Sequence, residues 1–325
     1  MPGRPKNQTK IVDSILNPQI IRTELWRLSS LSQEFIKPLA ALQWCAARRL
    51  IRNSMPCTGC NQLCTLCTYT QGIDGKRWSC QHCNFRKSVR DGSFFSASHL
   101  TLQQTVLMVY CWSHDMPQYQ ISHEANIADL NIITDWCNVM REECESWLER
   151  SAGKIGGLDA NGEAIVVEID ETKYFHRKYH RGQWHDGHWV FGGVERESGK
   201  CFLVEVPDRR AVTLQALIEE YIEPGSHIVS DGWAAYANVD QIGQGIYGHS
   251  VVVHQHYFVD PMDDRVHTQN VENMWMRAKR KLKRQFGTSR ALFPSYLHEF
   301  MYRNQFRGRD IFSNFIVTIA ENFVY

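Results

Sequence analysis

The sequence predicts an α/β protein in which a mixed sheet flanked by helices follows a small cysteine-rich module and a helical region. Three observations carry that prediction. The apolar pattern changes near residue 163, from helical spacing to short apolar runs separated by turns. Three C-x-x-C pairs lie close together between Cys57 and Cys83. A helical segment, "HTQNVENMWMRAKRKLKRQFGTSR", places one acid, Glu272, ahead of seven basic residues and no other acid.

Residues 1–54 read as an N-terminal helical region: a basic, flexible tail "MPGRPKNQTK", then helical patterns from about 11 to 52 that end in "AARRLIRN". Residues 55–98 hold the clustered cysteines, Cys57 and Cys60, Cys64 and Cys67, Cys80 and Cys83. Residues 99–152 are helical again. An apolar run spans 100–112, and two helical patterns in 118–148 flank "ADLNIITDW", an arrangement that resembles a helix-turn-helix and equally suits a plain helical pair. The glycine-rich segment "SAGKIGGLDANG" marks the boundary before a last domain, 163–325.

In that domain "EAIVVEID" reads as a buried strand ending in Asp170. "HWVFGGVE" and "KCFLVEV" follow as two strands joined by a hairpin turn at "RESG". A helix over "AVTLQALIEEYI", a strand "HIVS" ending in Asp231, a short helix at "WAAY", a strand at "SVVVH" and the Glu272 helix complete the order. An opening antiparallel hairpin followed by strand–helix alternation implies a mixed sheet covered by helices, whose active sites gather at strand ends.

Composition narrows the function. With 43% hydrophobic and 22% charged residues the chain is ordinary globular protein, and no run of eighteen apolar residues or charged-then-apolar leader is apparent. The expected location is therefore intracellular, the nucleus in a eukaryote or the nucleoid and cytoplasm in a bacterium. A net charge of +1 confines any nucleic-acid affinity to local patches such as 277–290 and "KYFHRKYHR".

Eleven cysteines in such a compartment argue for metal ligation rather than disulfides. Two C-x-x-C knuckles about twenty residues apart, with "DGKRW" leading into the second, suit the four thiolates of one zinc ion in a zinc ribbon. Three pairs exceed one site's demand, so Cys64 and Cys67 are bystanders, replacements for the first pair, or part of a second site; spacing alone does not choose. Cys45, Cys111, Cys137, Cys144 and Cys201 sit in apolar or helical patterns and read as small core residues.

The acids are the candidate chemistry. Val271, Met274, Trp275, Ala278 and Leu282 form an apolar stripe, while Glu272, Met276, Lys279 and Lys283 share a neighbouring face. A carboxylate in a first turn by itself only favours the helix dipole. Two strand-end aspartates and a helix-borne glutamate together can hold a pair of Mg²⁺ or Mn²⁺ ions, with the lysines gripping a phosphate backbone.

The motifs "VVEIDETKY", "HIVSDGWAAY" and "HTQNVENMW", preceded by "WSCQHCNFRKSVRDGSFFSASHLTL", resemble the three acidic motifs and the zinc ribbon of Merlin-type DDE transposases and their bacterial insertion-sequence relatives. The resemblance spans about Cys57 to Arg303. It implies an RNase H-like catalytic domain with Asp170, Asp231 and Glu272 in the acidic positions and two Mg²⁺ or Mn²⁺ ions. It also implies one structural Zn²⁺ on Cys57, Cys60, Cys80 and Cys83, which leaves Cys64 and Cys67 outside the ribbon.

The implied partners are DNA, as transposon terminal repeats and target, and further copies of the chain in a dimer or larger assembly. Lys279, Arg280, Lys283 and Arg284 are the expected DNA contacts. His254, in "VVVHQHYFVD", resembles a family histidine past the fifth strand and is an accessory candidate. Glu168 and Glu171 are read as turned to the side opposite Asp170, and His267 and Asn270 as setting the helix start. Trp233, Tyr236 and Trp275 are candidates either for stacking on unpaired bases or for the core. Two other functions fit the motifs: a transposase-derived DNA-binding protein without transposition activity, and an RNase H-like structure-directed nuclease.

Overall fold

The computed structural model describes residues 8–175, 187–252, 267–285 and 287–323. The chain forms two compact units, Met1–Glu143 with Phe306–Tyr325, and Cys144–Gln305.

In the first unit α1 (Pro18–Thr23) is capped by Asn17, whose side chain accepts the Gln19 N–H, and is followed by α2 (Leu28–Glu34) and α3 (Pro38–Ala47). The helical pattern continues past Ala47, yet Arg49 adopts φ +59° and the Leu50 N–H turns back to the Cys45 carbonyl, so "RRLIRN" leaves the helix. Strands β1 (Thr65–Thr68), β2 (Lys76–Ser79) and β3 (Arg86–Ser88) then pair as an antiparallel sheet around the fully buried Trp78. Arg90 clamps this ribbon by forked bonds of 2.6 Å to both oxygens of Asp74 and a 2.7 Å bond to the Leu100 carbonyl. Arg90 is buried and Asp74 largely so, so removing Asp74 leaves the guanidinium without its counter-charge.

Helix α4 (Leu102–Ser113) opens with a capping box in which Thr101 and Gln104 exchange bonds. Helix α5 (Gln118–Ala125) ends on Asn126 in the left-handed region, and α6 (Leu130–Ser151) starts four residues later. Most of "ADLNIITDW" therefore begins α6 rather than separating two helices. The short turn suits a helix-turn-helix connection.

The second unit continues with β4 (Ile155–Gly156), β5 (Val166–Tyr174), β6 (His188–Glu195), β7 (Cys201–Val206), α7 (Ala211–Tyr221), β8 (Ile222–Glu223) and β9 (His227–Asp231). Two 3-10 turns at Ala234–Tyr236 and Val239–Gln244, β10 (Gly248–Val252), α8 (Gln269–Arg284) and α9 (Phe293–Gln305) complete it, and α10 (Ile311–Asn322) returns to the first unit. Among the described residues the main sheet has five strands in the order β10-β9-β5-β6-β7. β5, β6 and β7 form an antiparallel meander, while β9 and β10 run parallel to β5. That is the RNase H-like arrangement. β4 and β8 add a two-residue parallel pair.

Each face of the sheet has its own core. Val167, Ile169, Phe191 and Phe202 pack with α7 and the 3-10 turns through Leu214, Ile218, Tyr236 and Val239. Tyr174, Val190, Val194 and Leu203 pack on the other face against Val271, Met274, Trp275, Ala278 and Leu282 of α8 and Phe293 and Leu297 of α9. All five residues of the predicted α8 stripe are thus buried. Among the described residues no helix is long and apolar enough to cross a membrane.

Candidate active site and thiolate centre

β5 does not end at Asp170. It continues four residues to Tyr174, because "ETKY" alternates and pairs with β6, Asp170 facing Gly192 and Tyr174 facing His188 across the ladder. Asp170 is therefore a mid-strand residue, whereas Asp231 is the last residue of β9. The β5–β9 register runs through Glu168 opposite Val229, so Asp170 and Asp231 stand two residues further along on the same face.

α8 covers that face and is tied to it at two places. Trp275 Nε1 donates to Asp170 Oδ2 at 3.0 Å, and Gly192 makes room for the indole, since a Cβ there would lie 2.7 Å from the Trp275 ring. One turn earlier Glu168, with no exposed surface, accepts from the Asn270 N–H at 2.8 Å, the Val271 N–H at 3.1 Å and Asn270 Nδ2 at 2.7 Å. Arg196 Nε completes the cage at 2.9 Å.

Glu168 thus caps α8 from a strand 102 residues away, while Thr268 at the N-cap position provides no side-chain cap bond. The expectation that Glu168 faces away from Asp170 is incorrect: residues two apart on a strand share a face, and only Glu171 points to the other side. There it accepts from Arg209 at 2.9 Å and from the Tyr236 hydroxyl. Asn270 does belong to the helix start, through Glu168, and the His267 carbonyl accepts from Arg196 at 3.0 Å.

Burial, with the neighbouring Glu171 and Asp231 charges, pushes the Asp170 carboxyl up to about 7. Glu272 lies exposed in the first turn of α8, its Oε1 accepting from Thr268 Oγ1 at 3.4 Å. Asp170 and Asp231 stand side by side on one sheet face and Glu272 lies in the first turn of the helix that covers it, but the three acids do not form a preformed cage. Among the described residues the group of potential ligands gathered within 4.8 Å is Cys57, Cys60, Cys80 and Cys83.

That cluster is built by two knuckles. The Cys57 N–H bonds the Gln62 carbonyl and the Cys80 N–H the Phe85 carbonyl, each at 2.9 Å. The Gly59 and His82 N–H groups point at Cys57 Sγ and Cys80 Sγ at 3.4 and 3.3 Å, and the His82 contact holds the Cys80 thiol down to about 7. Cys60 and Cys80 Sγ are 3.5 Å apart, close to the sulfur separation of about 3.8 Å that a tetrahedral zinc with 2.3 Å bonds requires. Cys64 and Cys67 stand outside the four, and burial pushes the Cys64 thiol up to about 11.

Residues 161–305 match the family model described as the ISXO2-like transposase domain, of the IS1595 group of DDE transposases. The match covers 145 of the 325 residues, and over that segment the chain is similar to a DDE transposase domain. No curated protein matches the chain. Solved structures similar to it include the catalytic core of BIV integrase, 14% identical over 44% of this chain and 84% of that one with a TM-score of 0.31. The HTLV-2 integrase catalytic core in complex with magnesium, in its trimeric form, is 13% identical over 43% and 83%, with a TM-score of 0.29. A simian T-cell lymphotropic virus intasome in complex with a PP2A regulatory subunit is 12% identical over 61% and 67%, with a TM-score of 0.30. The fold assignment rests on the strand order given above.

Around the three acids, the α8 cations divide by environment. Arg280, Lys283 and Arg284 are exposed. Lys279 is half-buried, bonded to Thr172 Oγ1 and 5.0 Å over the Tyr174 ring, on the same face of β5 as Asp170. Of the aromatic candidates Tyr236 and Trp275 are core residues, whereas Trp233 remains 41% exposed. His254 and most of "KYFHRKYHR" lie outside the described residues. In the sequence reading Glu168 is given the wrong side of the strand and Arg209 is not singled out. Period-two counting along β5 identifies the first, while nothing in the local sequence marks the second.

Proposed function

We propose that Asp170, Asp231 and Glu272 are the catalytic triad of a metal-dependent DNA transposase that cuts element ends and joins the freed 3′-hydroxyl to target DNA. The single observation that carries this reading is the placement of Asp170 and Asp231 side by side under the helix that bears Glu272. The donors are hard oxygens, which suit Mg²⁺ or Mn²⁺, and the raised Asp170 carboxyl is one that a cation stabilises in its charged form. Two such ions, when bound, supply the charge that favours the attacking and leaving oxygens of a phosphodiester.

The chain's own residues do the rest. Trp275 orients Asp170, Glu168 fixes the helix start beside Glu272, and Arg280, Lys283 and Arg284, with Lys279 nearer the acids, hold the DNA backbone. Cys57, Cys60, Cys80 and Cys83 hold one structural Zn²⁺. The motifs favour Merlin-type relatives within the DDE class, acting on terminal repeats as a dimer or larger assembly inside the cell.

The test is Mg²⁺-dependent cleavage and strand transfer on DNA bearing the element's ends. Native protein cuts and joins, while Asp231→Asn and Glu272→Gln bind the same DNA and do neither. Cleavage without joining makes the protein a nuclease. Tight binding with no cleavage in Mg²⁺ or Mn²⁺ makes it a DNA-binding derivative.

A further inference from the structure

The sheet face opposite α8 carries an aromatic–cation assembly that the triad does not use. Arg209, in the turn between β7 and α7, places its guanidinium carbon 4.0 Å from the Trp189 ring centroid and 4.5 Å from that of Trp233. Its Nη1 is anchored on Glu171, a buried acid next to Asp170 in sequence, at 2.9 Å. Lys173 adds a second cation 5.6 Å from Trp189. Trp233 is bound to the acidic centre by its own backbone, since its N–H donates to Asp231 Oδ1 at 3.0 Å.

The three planar groups differ in exposure. Trp189 is half-buried against the core and Arg209 is 32% exposed, whereas Trp233 is 41% exposed between the exposed Gly232 and Ala234. A core or lid tryptophan buries its indole. This one is kept open at the rim, and a guanidinium held by Glu171 backs it, so little rotamer freedom remains to be lost on binding.

We infer that Trp233, backed by Arg209, is a stacking platform for one unpaired nucleobase of a DNA strand lying beside the Asp170–Asp231 pair. An indole face backed by the Arg209 guanidinium, with Lys173 over the neighbouring Trp189, suits a flat ring carried on an anionic backbone. The adjoining Asp231 sets where along the strand that base falls. A strand passing the acids presents such a base once its partner strand is released or frayed. The inference rests on the acidic centre being a DNA-processing site, but its test reads binding and not cleavage.

Full-length protein carrying Asp231→Asn, which leaves DNA uncut and keeps the acceptor for the Trp233 N–H, is mixed with an oligonucleotide containing an adenine analogue whose fluorescence is quenched by stacking. The same strand is also tested as a duplex. Single-strand binding is expected to quench the analogue. Adding Trp233→Ala restores its fluorescence and weakens single-strand binding about tenfold while changing duplex binding less than about twofold. Trp233→Phe, which keeps a ring, retains most of the quench, and Arg209→Lys, which keeps the charge and loses the plane, reduces it. Absence of quenching, or an equal loss on single strand and duplex, overturns the platform. A platform that passes while native protein fails to cut DNA leaves the stacking site standing without the proposed reaction.

Discussion

The two candidate metal centres of this chain are assembled in opposite ways. Cys57, Cys60, Cys80 and Cys83 gather within 4.8 Å, with backbone N–H groups already turned toward two of the sulfurs. Asp170, Asp231 and Glu272 are set on three separate elements, and the acids are not drawn into a cage. A closed four-sulfur shell suits an ion that holds structure, whereas an open carboxylate shell leaves positions for substrate. The supports differ as well: the thiols are aimed by N–H groups within their own knuckles, and the acids' surroundings are set by the more distant Glu168 and Trp275.

The strongest way to break this comparison is to empty the thiolate site. Chelation, or Cys80→Ser, is expected to unfold the β1–β3 ribbon and shift the emission of buried Trp78 to the red, while the sheet of residues 144–305 keeps its circular dichroism. A ribbon that survives chelation means the four cysteines are not a metal site.

The next effect belongs to Glu168. Replacing it with Ala removes the carboxylate that Arg196 and the first N–H groups of α8 share, leaving Arg196 only its other contacts such as the His267 carbonyl, and denaturant titration is expected to show a loss of about 3 kcal/mol. Glu168→Gln, which preserves an acceptor, costs less. A cost under about 1 kcal/mol for the alanine variant places the hold on α8 elsewhere.

The smallest effect sharpens the other side. The folded state binds the Asp170 proton more tightly than the unfolded chain, whose group titrates near its ordinary 3.8. The resulting penalty is absent below about pH 4, grows as pH rises and is complete above about pH 7. Asp170→Asn is therefore expected to stabilise the fold by on the order of 2 kcal/mol at about pH 8 without divalent cation and by nothing at about pH 4. Excess Mg²⁺ erases that advantage by favouring the native carboxylate. A variant equally stable to the native protein at about pH 8 removes the crowded-carboxylate account.

Much of this was legible along the chain because the signals are local. C-x-x-C spacing identifies knuckles, since four residues make a turn that aims two thiols at one point, and the gathered set is the outer pairs. The apolar stripe of α8 follows from 3.6-residue periodicity, and its five residues are buried as counted. The order of strands and helices from β5 to α8 follows from the change of period and the turn residues between runs.

Other features depend on which distant residues meet. Composition alone ends β5 at Asp170, but pairing with β6 extends it to Tyr174, because a strand's length is set by its partner's hydrogen bonds as well as by its own apolar run. The cap of α8 comes from Glu168, and the cation under Trp233 comes from the turn before α7, with α7, β8 and β9 between them in the chain. Neither has a local signal, since a buried carboxylate and a guanidinium choose partners by proximity in space. The sequence alone determined the kinds of ligand, the spacing of the thiols and the order of the elements, all consequences of backbone geometry within a few residues. The tertiary structure determined which acid supports and which faces the open rim, because register and packing bring together charges that desolvation would otherwise penalise.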